Sequence, residues 1–231
     1  MMFREINIPT VLNSGSISDL TTQLTECEKE NMRFVALKGS ETVFCNGLDL
    51  AWAAGSMKGD DFEDMKNYAG FLKKLQQGNF ISIALVKGTV SGGGMGIVCA
   101  CDHVIAEETS TYSLPEGLLG LIPGMILPSL LNRLSSHRIK KMVLTGKKYS
   151  AATALEFGII DELSGNLQKS LDEAIQTMRS CKPGAVRDIK EILYLSSSNK
   201  DELAVKGMHV LNQRLQEPEI KQRLKDLSDF I

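Results

Sequence analysis

The chain has 231 residues, 43% hydrophobic and 23% charged, with a net charge of −2. That suits one globular domain, or one with a small appendage, and supplies no cationic excess for a nucleic-acid surface. The five cysteines are odd in number and irregular in spacing, and no run approaches a membrane span, so neither a disulfide scaffold nor a membrane segment is expected.

The start, MMFREINIPTV, has no long apolar run, so no signal peptide is expected and a reduced cytoplasmic setting follows. Residues Glu5–Val11 read as a short extended piece. Ile17, Leu20, Leu24 and Cys27 then recur at helical spacing, with Ser18 or Asp19 as the expected cap. RFVALKGS (Arg33–Ser40) reads as a buried strand ending in a glycine turn. In VFCNGLDL (Val43–Leu50), Gly47 punctuates a strand and a helix start is expected after it. Asp60–Gln77 reads as a helix with Phe62, Met65, Tyr68, Phe71, Leu72 and Leu75 on one side.

FISIALVKGTV (Phe80–Val90) reads as one strand, followed by a glycine cluster, a short helix over Met95–Cys101 and a strand in HVIAEE. STYSLPEGLLGLIPG, bracketed by Pro115 and Pro123, is expected to be irregular. Helices then follow over Met125–Arg133, His137–Thr145, Ala151–Phe157, Leu167–Ser180 and Gly184–Ser196. A last one runs from Lys200 to about Ile231, broken at Pro218. SCKPGAV (Ser180–Val186) is a hinge-like connection. Strands alternate with helices early and helices dominate late, which makes the class α/β with a helical C-terminal region.

The stretch VSGGGMGIVCA (Val90–Ala100) asks what lies against its bare backbone. A dinucleotide fingerprint fails at its third position, which is Ile97 or Cys99, and the stretch before the next strand is too short for a crossover helix. A phosphate loop fails too, since TGKKYS (Thr145–Ser150) mimics only its tail. Two readings stay open. One is close packing of a helix start on a strand. In the other, the helix start aims N–H groups at a carbonyl that gains negative charge during reaction.

The second reading demands another donor and an acid/base group. VFCNGLDL offers the donor. Glu116, among Leu114, Pro115, Leu118 and Leu119, offers a carboxylate desolvated enough to have a raised pKa.

Taken together, FCNGLDL, VSGGGMGIVCACDHVIA and YSLPEGLLGLIPG, in that order and spacing, resemble the crotonase superfamily of enoyl-CoA hydratases and isomerases. MVLTGKKYSAATALEFGIIDEL (Met142–Leu163) extends the likeness, which runs from about Arg33 to the C-terminus. The resemblance implies a spiral of strand–strand–helix turns over residues 1–180 and C-terminal trimerisation helices over 181–231. It implies an acyl thioester substrate on CoA or an acyl carrier protein, with phosphopantetheine as carrier and no other cofactor or metal, and a homotrimer or hexamer.

It places the thioester oxygen between the backbone N–H groups of Leu48 and Gly93, and makes Glu116 the general acid/base. Asn46, Asp49, Leu50, Gly94, Gly96 and Tyr112 become the expected substrate-binding residues. The family's two-glutamate hydratases would carry their first glutamate at Gly96, so two-carboxylate water activation is not expected here. Single-glutamate members include Δ3,Δ2-enoyl-CoA isomerases. The dehydratases of polyketide β-branching are closer in their motifs, matching at Gly93–Gly96, Ser113–Glu116, Gly120–Pro123 and Leu127–Pro128; they act on a carrier-bound 3-hydroxy-3-methylglutaryl group. The expected reaction is therefore dehydration of a 3-hydroxyacyl thioester, with double-bond isomerisation next and a non-catalytic binding protein as the contrasting class. The opening NIPTVLNSGSISDL lacks the family's usual string beside the adenine, a loss that a carrier-protein substrate tolerates.

Other residues carry plainer readings. Asp49 suits a helix cap. Cys45, Cys99, Cys101 and His103 suit core packing rather than a metal, and Asp102 a structural pairing. Trp52 suits packing under the pocket, His137 and His209 the surface. Gly146–Lys148 suits solvent or an acidic carrier protein.

Overall fold

The computed structural model describes residues 2–49, 63–196 and 199–228. A five-stranded parallel sheet is ordered β1 (Phe3–Asn7), β2 (Phe34–Lys38), β4 (Ile81–Val86), β6 (His103–Ala106) and β9 (Glu162–Leu163). A smaller sheet is ordered β3 (Val43–Cys45), β5 (Thr89–Ser91), β7 (Thr111–Ser113) and β8 (Tyr149–Ser150), with only β7–β8 antiparallel. Consecutive strands alternate between the sheets, β2 then β3, β4 then β5, β6 then β7. This is the strand–strand–helix spiral that the resemblance implies.

Both faces of the large sheet are covered, which explains its unbroken apolar strands. Phe34, Ala36, Ile81, Ile83, Leu85 and Ile105 pack on the helix Leu167–Met178. The alternate residues Val35, Leu37, Ala84, Val86 and Val104 join the main core. That core includes Ile17, Leu20, Leu24 and Cys27 of α1 (Ser14–Lys29), and Met65, Tyr68, Phe71, Leu72 and Leu75 of α2 (Glu63–Gln77).

Three local expectations change. The first helix is capped by Asn13, not by Ser18 or Asp19. The Asn13 side chain accepts the Ser16 N–H at 3.0 Å and the Ser16 hydroxyl accepts the Asn13 N–H at 2.9 Å, a reciprocal pair that satisfies two backbone donors one turn earlier. Phe80–Val90 is two strands in two sheets, because the chain turns at Lys87–Gly88. The stretch expected to be irregular holds β7 and a 3₁₀ turn over Glu116–Leu119.

Among the described residues, the C-terminal region is three helices: Pro183–Ser196, Lys200–Gln216 and Pro218–Ser228, the last break falling at Pro218 as the sequence suggests. Buried Lys190 ties the first to the core. Its ammonium donates to the carbonyls of Leu75 (2.9 Å) and Phe80 (3.0 Å) and to the Asp102 carboxylate (2.7 Å). Asp102, though partly exposed, also accepts from the Ser82 N–H and hydroxyl, so it is a structural acceptor that joins the strand to the helix. No helix among the described residues is long and apolar enough to cross a membrane.

Candidate active site

Two strand ends build the centre of the site. After β3 the chain turns at Gly47, whose φ of +89° suits glycine. A Cβ there would stand 2.6 Å from the Gly93 nitrogen, so the turn can touch the second loop only as glycine. The N-terminal segment supports this turn from behind. Asn46 N–H donates to Thr10 (2.7 Å), Leu12 N–H to Gly47 (2.7 Å) and Asp49 N–H to Leu12 (2.9 Å). Leu12 and Leu48 thus form a parallel bridge in which the flanking residues bond. The Leu48 N–H points the other way and has no hydrogen-bond acceptor among the described residues.

After β5 the chain turns at Gly92 (φ +51°) and enters the helix Gly93–Ala100, which starts two residues before the expected Met95. Gly93 is its first residue, where a backbone N–H has no partner within the helix. Gly92 N–H donates to Ser113 O (3.2 Å) and Met95 N–H to Gly92 O (2.9 Å), leaving the Gly93 N–H without a described acceptor.

These donors border a cavity of about 240 Å³. Asn46, Leu48, Ser91, Gly92, Gly93 and Glu116 lie along one part of it, and Leu121, Ile122, Met125 and Ile126 form much of the remainder. Leu211 and Leu215, from the helix Lys200–Gln216, close it. The C-terminal region therefore contributes directly to the wall.

Glu116 opens the 3₁₀ turn, which is held by Leu118 N–H to Pro115 O (2.9 Å) and Leu121 N–H to Glu116 O (2.8 Å). Its Oε1 is 3.5 Å from where a Cβ on Gly92 would sit, beside the donor loop. Its Oε2 is buried with no hydrogen-bond partner among the described residues. Burial raises the carboxyl pKa from 4.5 to about 7, opposed in part by a bond from its own backbone N–H. A group so tuned is present in both protonation states near neutral pH.

Several expected substrate contacts lie elsewhere. Gly94 packs on the Cys45 carbonyl and does not line the cavity. A Cβ on Gly96 would collide with Ile126 and stand 3.2 Å from the Tyr68 hydroxyl, so Gly96 is a packing position behind the wall. Tyr112 is fully buried, its hydroxyl paired with Ser110 at 3.0 Å, and is not a lining residue. Asp49 is half-buried outside the lining. Leu50 and Trp52 fall outside the described residues, as does the helix start expected after Gly47.

Cys45 is buried, accepts the Gly47 N–H on sulfur at 3.4 Å, and has its thiol pushed up to about 11 by burial. Burial likewise pushes Cys99 and Cys101 up to about 12. All three are unreactive at neutral pH. His103 faces Asp161 (3.5 Å) and Glu162 (3.9 Å). No metal-holding cluster of His, Cys, Asp or Glu occurs among the described residues.

The model of the enoyl-CoA hydratase/isomerase family matches residues 5–226. The chain belongs to that family. It is 30% identical over 184 residues to the bacillaene synthase dehydratase PksH of Bacillus subtilis, covering 79% of this chain and 71% of that protein. It is 31% identical over 172 residues to the carnitinyl-CoA dehydratase of Proteus mirabilis, covering 72% and 65%. The chain thus spans less than two thirds of the second relative. Among solved structures it superposes on a polyketide biosynthesis enoyl-CoA hydratase (pksH) of Bacillus subtilis with a TM-score of 0.88 at 24% identity, covering 97% of this chain and 93% of that one. The enoyl-CoA hydratase of Bacillus halodurans gives 0.85 at 18% identity, covering 96% and 95%. The crotonase fold is shared throughout.

Proposed function

We propose that this enzyme of the hydratase/dehydratase kind removes water from a 3-hydroxyacyl thioester carried on CoA or an acyl carrier protein. The observation that carries the reading is the buried carboxylate of Glu116 beside Leu48 and Gly93, whose N–H groups have no acceptor among the described residues. In the proposed reaction, those N–H groups donate to the thioester oxygen. Glu116 as carboxylate takes the α-proton, and the electrons of the C–H bond pass to the thioester oxygen as an enolate. The enolate electrons then form the α,β double bond and the β C–O bond breaks. The departing oxygen takes the proton from Glu116 and leaves as water. The carboxylate is regenerated, so one glutamate serves both steps.

Oxyanion donors of this kind lower a barrier by about 3–4 kcal/mol each. The likeness to the bacillaene synthase dehydratase supports a 3-hydroxy-3-methylglutaryl-type acyl group on a carrier protein. The described lining offers no cation to a distal carboxylate, so neutral 3-hydroxyacyl groups belong in the same test.

The test is incubation with panels of 3-hydroxyacyl-CoA and 3-hydroxyacyl-carrier-protein thioesters, read by mass spectrometry. Loss of one water from a panel member supports the reading, and no turnover by wild type contradicts it. A second reading, transfer of one proton between carbons of an enoyl thioester, uses the same lone carboxylate in an apolar cavity; it gives a product of unchanged mass. For assembly we propose a homotrimer or hexamer. The exposed Ile189, Ile192 and Leu193 on the helix Pro183–Ser196, with Leu131 also exposed, support self-association. Light scattering that finds only monomer would contradict it.

A further inference from the structure

We infer that Tyr68 is a positioning residue for the reaction, the side chain that holds the Gly93 donor in its working orientation. This rests on the oxyanion reading above. Gly93 has no side chain to restrict its backbone, so its N–H direction depends on what grips the peptides on either side. The peptide that carries the Gly93 N–H is gripped by Met95 N–H to Gly92 O at 2.9 Å, and the one before it by Gly92 N–H to Ser113 O at 3.2 Å. The following peptide is gripped by the Tyr68 hydroxyl, which donates to Gly93 O at 2.6 Å.

Tyr68 comes from a different element, the helix Glu63–Gln77, and is fully buried. Its hydrogen bond therefore does not compete with water. Burial also holds the phenol pKa well above its usual range, so the group remains a donor at any working pH. The hydroxyl lies 3.5 Å from where a Gly93 Cβ would be and 3.2 Å from where a Gly96 Cβ would be. With Ile126, it occupies the place toward which a side chain on Gly96 would project. Tyr68 is not among the cavity-lining residues, so it acts through Gly93 rather than on the substrate.

The test compares Tyr68→Phe with Tyr112→Phe. The second also loses the hydroxyl of a fully buried tyrosine, but its partner is Ser110 and not the donor loop. A merely structural role predicts similar losses of thermal stability and unchanged turnover for both. A positioning role predicts that Tyr68→Phe lowers kcat by about 10- to 100-fold, the scale for a slightly misplaced donor. KM is expected to stay within about twofold, since the loss is of transition-state stabilisation. The carbonyl stretch of a bound enoyl thioester, read by Raman difference spectroscopy, is expected to lose part of its downshift in Tyr68→Phe and none in Tyr112→Phe. Tyr68→Met, which also lacks the hydroxyl and fills irregular space, is expected to behave like Tyr68→Phe and serves if the latter does not fold. A shift and kcat kept by Tyr68→Phe overturn this inference alone. A wild-type enzyme that shifts no carbonyl band overturns the oxyanion reading and this inference with it.

Discussion

Replacing Glu116 with Gln is expected to make the protein more stable and less active, with the stability gain depending on pH. The folded carboxyl titrates at about 7 against 4.5 for a solvated glutamate, because it is buried, with no partner for Oε2 among the described residues. Between those values the folded state holds a proton that the unfolded state has lost. Stability therefore falls as pH rises through this window, and the cost is complete above pH ~7. At about 1.4 kcal/mol for each tenfold change, the full difference approaches ~3 kcal/mol. Solvent entering the cavity reduces that to roughly 1–3 kcal/mol. Gln has nearly the same shape and no charge, so Glu116→Gln is expected to melt roughly 2–8 °C above wild type at pH 8. Below about pH 4.5, where the native carboxyl is neutral in both states, the two should converge. The assay is thermal unfolding by circular dichroism across pH 4–8, paired with turnover. Equal melting temperatures at pH 8, or a gap that widens on acidification, would refute the desolvation argument.

Gly96→Glu is expected to unfold at lower temperature and gain no hydration activity, because its Cβ meets Ile126; a melt and a hydration assay check both. Lys190→Met leaves the Leu75 and Phe80 carbonyls without their buried donor and removes the ion pair to the partly exposed Asp102, and is expected to cost about 1–3 kcal/mol in denaturant unfolding. Gly92→Ala forces an alanine to φ +51° beside Glu116 and is expected to lower kcat more than it raises KM in steady-state kinetics. Leu211→Ala with Leu215→Ala widens the cavity wall and is expected to shift kcat/KM toward bulkier acyl chains across a thioester series.

The parts of the site legible in the sequence are those fixed by neighbours along the chain. The strand–glycine turn at Cys45–Leu48, the strand–glycine–helix start at Val90–Gly93, and a glutamate set in SLPEGLLG are local patterns with direct geometric consequences. The helical spacing of Ile17, Leu20, Leu24 and Cys27 worked for the same reason, since a helix face needs no distant information. The rest depends on residues far apart in the chain. The Tyr68 hydroxyl reaches Gly93 across 25 positions, and in sequence Tyr68 is only one more apolar step on a helix face. Leu211 and Leu215 carry an ordinary i, i+4 signal that does not say which cavity they close. Gly96 was recognisable as a position without a carboxylate, but that Ile126 fills the space required the folded chain. The break of Phe80–Val90 turns on Lys87–Gly88, where a β-rich run hid a change of sheet.

The central claim is that one buried glutamate removes water from a thioester held by Leu48 and Gly93. The most direct measurement is mass-spectrometric turnover of the 3-hydroxyacyl thioester panel by wild type and Glu116→Gln at neutral pH. The account predicts a dehydrated product from wild type and a rate about 10²–10⁴-fold lower from Glu116→Gln with the fold intact. A wild type that dehydrates none of the panel, or a Glu116→Gln variant as fast as wild type, would contradict it.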